Sequence, residues 1–278
     1  MTRVGIKGLY FIFSWVLLLI GPAWASDPPL PAPGEISEQR IFKTLEELQS
    51  FGNRTTWEKQ DQVAEYLYRQ LQSYPNLEVS YHFYQHGGKT WKNVVVRCPG
   101  RKNPQKIYIL CAHYDSHPDG LKLSGTAPGV DDNGTGVAVL LEGARILSEN
   151  PGKNTVEWLF FSNEEQGHKG SLAYVKALKE KGSAISGVVN IDTIGYTQPS
   201  LKVLWQEARG KGLSRRLAYL AKQILKKPIF YFQTGFKNPD ELLLVGGRPA
   251  NALLVDKVYS RLKGAEVGIK KDVGPQCG

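Results

Sequence analysis

Residues 107–115 read IYILCAHYD, an apolar run that ends abruptly on a histidine and, two positions later, an aspartate. A short apolar run of this kind predicts a strand buried on both faces, with the polar residues placed beyond its carboxyl end. Two later runs have the same form. Trp158–Ser162 (WLFFS) leads into Asn163-Glu164-Glu165, and Val188–Asp192 (VVNID) ends on its own acid. Helical patterns, about Thr135–Glu149 and Ser171–Lys181, separate the three runs. Strands alternating with helices predict an α/β fold in a single domain, built on a mixed, mostly parallel sheet with helices on both faces.

Upstream, Ile41, Leu45 and Leu48 have helical spacing, as do Val63, Leu67 and Leu71 in a longer helix from about Trp57 to Tyr74. Leu77, Val79, Tyr81 and Phe83 alternate as a half-buried strand, and Gly87-Gly88 turns the chain into a partner strand at Trp91–Arg97. Downstream, a basic helix over Leu213–Lys227 carries Leu213, Leu217, Leu220, Ile224 and Leu225 as one stripe, the form expected of a helix covering a sheet. Strand-like runs follow at Ile229–Phe232 and Ala252–Val255.

The 278 residues are 41% hydrophobic and 22% charged, enough to bury a sizeable core and to exclude wholesale disorder. Three cysteines exclude a disulfide-stapled miniature fold. The net charge of +9 is spread along the chain rather than gathered in one block, so no nucleic-acid partner is indicated. Arg3 and Lys7 precede the apolar run Leu9–Ile20, and Ala23-Trp24-Ala25 offers a small-x-small cleavage site. That run is short of the roughly 20 residues a spanning helix needs. Residues 1–25 are therefore expected to be a signal peptide, 26–36 a flexible proline-rich tether and 37–278 the folded domain. The mature protein is expected in the periplasm or outside the cell, with no stable membrane insertion. Cys98 and Cys111 fall on expected strands as buried thiols; in an oxidising compartment Cys98 could instead pair with Cys277.

Ligand and crevice sites in open α/β sheets lie outside the carboxyl ends of strands. His113 and Asp115, Glu164 and Glu165, and Asp192 all occupy such positions. Asp131-Asp132 lies in a glycine-flanked loop just before the Thr135 helix. If the three strands are neighbours, one imidazole and several carboxylates meet in one crevice. Carboxylates that close repel one another, and a cation is the natural neutraliser.

HYDSH (His113–His117), APGVDDNGTGVAVLLEGARIL (Ala127–Leu147), FFSNEEQGHKGS (Phe160–Ser171) and NIDTIGY (Asn190–Tyr196) together resemble the successive motifs of metallopeptidase family 28, the co-catalytic dizinc aminopeptidases of the bacterial leucyl aminopeptidase type. The resemblance spans roughly residues 40–255. It implies a single α/β domain and cleavage of N-terminal residues from peptides with a free N-terminus. It also implies zinc held by His113, Asp131, Glu165 and Asp192, with Asp131 bridging two ions, Asp192 completing the His113 ion and Glu165 on the second. Glu164 is implied as the general base acting on a metal-bound water, and Asp115 as the acceptor that orients His113.

The resemblance has a gap. Family members place a further histidine on the Glu165 ion, after a segment like Gly247-Arg248-Pro249-Ala250, but none of the five histidines here lies beyond His168. One firm zinc site is therefore expected, beside a second that is weak or takes another divalent metal, with Asp240, Glu241 or His168 as candidate replacements. The alternatives are a carboxypeptidase or glutaminyl cyclase on the same scaffold, or a catalytically weak relative that binds peptide or metal.

Overall fold

The computed structural model describes residues 36–117, 128–195, 208, 212–226, 242–247 and 268–273. The expected signal peptide and tether (through residue 35), the expected strands at 229–232 and 252–255, Cys277, Asp240 and Glu241 lie outside them.

Five strands form the main sheet: β1 (Glu78–His86), β2 (Lys89–Cys98), β3 (Asn103–His113), β4 (Asn154–Phe161) and β5 (Ile185–Asn190). Their order is β1-β2-β4-β3-β5. The β1–β2 and β2–β4 pairings are antiparallel, whereas β4–β3 and β3–β5 are parallel, so only β2 runs against the other four. The mixed, mostly parallel sheet expected from the sequence is what forms. The three site-bearing strands are neighbours, with β3 in the middle. In register, His113 stands opposite Phe161 and Cys111 opposite Asn190, so β3, β4 and β5 end together at one edge.

Helices α1 (Glu38–Ser50), α2 (Trp57–Gln72), α3 (Gly136–Glu149) and α4 (Lys169–Glu180) clothe this sheet. Ser37 and Thr56 start the first two, each accepting a backbone N–H from three residues on into its hydroxyl. Their apolar rows are inside, with Ile41, Leu48, Val63, Leu67 and Leu71 buried. Because side chains alternate along a strand, each sheet face has its own core. Ile109, Cys111, Leu159 and Phe161 pack with Tyr174 and Leu178 of α4. Leu110, Ala112, Trp158, Phe160, Val94 and Val96 face the other way and are buried too; α2 packs on β2, and α3 on β3. Helix α3 is buried on almost every side, which explains why it reads as apolar all round. Its carboxylate Glu142 is held by Arg145 at 2.8 Å and by the Ser37 N–H at 2.9 Å.

Residues 196–278 group apart from residues 12–195. Within the former, α5 (Leu213–Lys226) has Leu213 and Leu217 exposed. There β6 (Leu242–Gly247) and β7 (Gly268–Val273) pair in parallel; neither was among the expected strands. The LLLV run that opens β6 is short enough to pass for loop or helix on periodicity alone. Among the described residues, no helix is long and apolar enough to cross a membrane. Cys98 and Cys111 are buried free thiols, and burial pushes them up to about 11 and about 12.

Candidate metal centre

Strand β3 delivers His113 to the sheet edge with its side chain almost wholly buried. Its Nε2 lies 3.1 Å from Asp132 Oδ1, 3.6 Å from Asp192 Oδ1 and 3.9 Å from Glu164 Oε2. Ligand atoms of His113, Asp132 and Glu165 all fall within 4.8 Å of one another. Burial alone would lower the His113 pKa, but Asp115, Asp132 and Asp192 outweigh it and push it up to about 12. Glu165 rises to about 7, through its own burial first and the Asp132 charge second. These are the marks of a site with an excess of negative charge around one imidazole.

The spacing suits a divalent ion. Two donors each about 2.1 Å from a tetrahedral zinc stand about 3.4 Å apart. The 3.1 Å and 3.6 Å separations from His113 Nε2 bracket that edge length. Imidazole with carboxylates is also the donor chemistry zinc accepts.

One assignment moves by a residue. The sequence expectation placed Asp131 at the centre, whereas the structure places Asp132 there. The chain from Val130 to Thr135 is a kinked turn in which Asp132 leaves helical geometry for extended backbone (φ −104°, ψ 98°) and the Asp132–Asn133 peptide is cis. Asp131 Oδ1 instead accepts the Gly195 N–H at 2.8 Å. The Asp131 carbonyl takes the Thr135 hydroxyl at 2.8 Å. Asp131 thus ties this turn to the segment that follows Asp192. Gly195 is required there, since a Cβ would sit 2.3 Å from Thr135 Cγ2.

Asp115 is buried, and its two carboxylate oxygens accept the Glu164 and Glu165 backbone N–H groups, each at 3.1 Å. It therefore fixes the turn after β4 as well as facing His113. The approach to His113 Nδ1, 3.3 Å, is an ion-pair distance without hydrogen-bond alignment. Glu164 Oε1 lies 2.8 Å from His168 Nδ1, which leaves Oε2 towards His113. His168, a candidate replacement ligand in the sequence, is exposed and engaged with Glu164. Asn163, in left-handed backbone (φ 52°), is locked by reciprocal bonds with Gln60, 3.1 Å and 3.2 Å.

Arg54 is not among the expected site residues and proves central to the scaffold. It is fully buried. Its guanidinium donates to the carbonyls of Tyr114 (2.6 Å), Gly129 (2.8 Å) and Pro128, and its backbone N–H donates to Ser116 Oγ at 2.9 Å. It staples the loop leaving β3 to the loop entering the Asp131-Asp132 turn. Gly129 (φ 53°) allows this approach, because a Cβ there would meet Ser116 Cβ at 2.6 Å and Arg54 Nη2 at 2.8 Å. Three carbonyls lose their donor in Arg54→Met, and each buried group left unsatisfied costs about 1–3 kcal/mol. The variant is expected to lose at least about 3 kcal/mol in urea unfolding. A loss below about 1 kcal/mol would show that water or another donor replaces the staple.

The model of Peptidase family M28 matches residues 93–243. Leucine aminopeptidase 1 of Trichophyton equinum is 31% identical over 181 residues, covering 58% of this chain and 46% of the relative. A probable zinc metalloprotease of Pyrenophora tritici-repentis is 29% identical over 181 residues, covering 58% of this chain and 38% of the relative. The chain thus spans under half the length of these two curated relatives. Among solved structures, the LapA aminopeptidase of Legionella pneumophila superposes with a TM-score of 0.51 at 25% identity, covering 59% of this chain and 45% of that one. LapB of the same organism shares the fold, with a TM-score of 0.60 at 19% identity over 88% of this chain and 57% of that one. The family match covers more than half the sequence and includes every carboxylate gathered around His113: the chain belongs to Peptidase family M28.

Proposed function

We propose that this chain is an exported zinc aminopeptidase, removing N-terminal residues from peptides that carry a free amino terminus. The observation that carries this reading is the convergence of His113, Asp132 and Asp192 with the Glu164 carboxylate aimed at the same imidazole. The likeness to leucine aminopeptidases supports the choice of an exopeptidase. His113, Asp132 and Asp192 would hold one zinc, and Asp132 with Glu165 would begin a second site.

Zinc, when bound, acidifies water, polarises the scissile carbonyl and gives the substrate's amino group an anchor. The remaining work falls to side chains. Glu164 Oε2 takes the proton of the attacking water and returns it to the leaving amine. His168 holds the other Glu164 oxygen, so the base is presented in one orientation. Asp115 positions both Glu164 and Glu165 through their backbones and sets the direction of His113.

The test is hydrolysis of aminoacyl-p-nitroanilides with N-acetylated versions as controls, before and after chelation. Metal-dependent cleavage of the free-amine series alone is expected. Cleavage of the blocked series, or of C-terminally displayed residues instead, would sink the aminopeptidase assignment. N-terminal sequencing of protein from its native host tests export, and a start at Met1 would count against it.

Asp115→Asn carries a separate expectation. An amide has one acceptor oxygen where the carboxylate uses two, so one of the Glu164 and Glu165 N–H groups must meet an NH₂. Zinc affinity is expected to fall by roughly 10–100-fold, read by competition with a chromogenic chelator. Unchanged affinity would remove Asp115 from the support of the centre.

A further inference from the structure

Strand β2 contributes a buried amide to the turn that carries Glu164. Asn93 is fully buried, and its Oδ1 accepts the Ser162 backbone N–H at 3.1 Å and the Ser162 hydroxyl at 3.2 Å. Its Nδ2 donates to the Gly170 carbonyl at 2.9 Å, so both ends of the turn, Ser162 and Gly170, are held by one side chain. A backbone N–H needs an oxygen and a carbonyl needs an N–H, which fixes the orientation of the amide. Its other Nδ2 hydrogen meets His82 Nδ1, 3.1 Å away at the register-paired position of β1. Facing a donor, Nδ1 must accept, and only the neutral imidazole protonated at Nε2 can do so.

His82 thereby ends a run of hydrogen bonds with a single direction. Asn163 Nδ2 donates to the Tyr84 hydroxyl at 2.8 Å, which meets Ser162 Oγ at 2.8 Å. Ser162 Oγ donates to Asn93, and Asn93 to His82. Asn163 immediately precedes Glu164. We propose that neutral His82 is a positioning residue for Glu164, acting through Asn93 and the Ser162-Asn163 turn. The proposal rests on the metallopeptidase reading above, which makes Glu164 the base. A proton on Nδ1 sets two donors against each other. Either the bond is given up, or Asn93 turns over and the Ser162 N–H loses its acceptor; both loosen the turn.

The surroundings of the ring favour the neutral form. Tyr174 of α4 meets it edge-on at 5.1 Å, and Tyr84 lies alongside at 6.4 Å. Burial pushes both phenols up, so neither carries charge near neutral pH. The Tyr174 hydroxyl is turned to Glu157, which is itself paired with Arg97. Burial first, and the Lys181 charge just past α4 second, push the His82 pKa down. A lowered histidine contributes stability that is complete above the free value of about 6.5 and is lost as pH falls through the folded value.

The experiment compares wild type, His82→Leu and His82→Asn by NMR and by kinetics on a leucyl anilide. Leucine removes the acceptor, whereas asparagine restores an oxygen near the place of Nδ1 and does not titrate. In the wild type the His82 ring resonances should titrate below about pH 6.5, and the Ser162 amide resonance should follow with the same midpoint. In His82→Asn that amide should stop following. His82→Leu is expected to lower kcat about tenfold at about pH 7.5 with KM nearly unchanged, less than the roughly 10²-fold that a 1 Å misplacement can cost. His82→Asn should recover most of that loss. A His82 midpoint at or above about 6.5, a Ser162 amide that ignores it, or wild-type kcat in His82→Leu overturns the proposal. The wild-type titration needs no variant, so the test stands even if His82→Leu fails to fold. A wild type that shows the coupled titration but cleaves no free-amine substrate sinks the metallopeptidase reading instead, and leaves the His82–Ser162 coupling in place.

Discussion

Glu164→Gln is expected to lower kcat by about 10²–10⁴ while zinc affinity and the N-terminal specificity stay as in the wild type. The amide keeps the size of the side chain and can keep its contact with His168. It cannot accept a proton from water. Glu164 Oε2 stands 3.9 Å from His113 Nε2, beyond the closer Asp132 and Asp192 oxygens, which is why the proposed reading gives it the proton rather than an ion. The measurement is steady-state kinetics on a leucyl anilide, beside a zinc titration of the same preparation. Retention of half the activity would mean another group takes the proton; joint loss of zinc would make Glu164 a ligand. His168→Ala makes a useful companion, since it frees the other carboxylate oxygen without removing the base. A modest fall in kcat with little change in KM is the signature of lost orientation.

The sheet was legible because its buried strands leave a direct trace. All eight residues of β4 are buried, and its second half, Trp158–Phe161, reads as a continuous apolar run. Strand β3 was read too short at its start, since Asn103–Lys106 are polar and pairing there passes through a bulge before Ile107. The convergence of His113, Glu164, Glu165 and Asp192 followed from strand ends once the three strands proved adjacent. What stayed hidden depends on partners far along the chain or on backbone with no periodicity. Arg54 has carbonyl partners that lie 60 to 75 residues away.

The choice between Asp131 and Asp132 shows the limit most sharply, and it supplies the second large expected effect. Adjacent identical residues in a loop give pattern reasoning nothing to separate them. Here the separation comes from backbone: Asp132 is extended and presents Oδ1 to His113 at 3.1 Å, while Asp131 Oδ1 takes the Gly195 N–H at 2.8 Å. Among the described residues Asp132 groups with both His113 and Glu165, so on the proposed reading it would contribute to holding both ions. Asp132→Ala should therefore weaken both zinc sites together and cut kcat/KM by on the order of 10³ or more, well beyond the loss expected from an outer-sphere change. Asp131→Asn keeps an acceptor oxygen for Gly195 and should bind zinc as the wild type does, with a stability cost of about 1 kcal/mol or less. Zinc content after dialysis, kcat/KM and the urea midpoint of both variants decide between the two acids. If Asp131→Asn empties the sites and Asp132→Ala does not, the bridge belongs to Asp131 and the turn adopts a different conformation once metal binds.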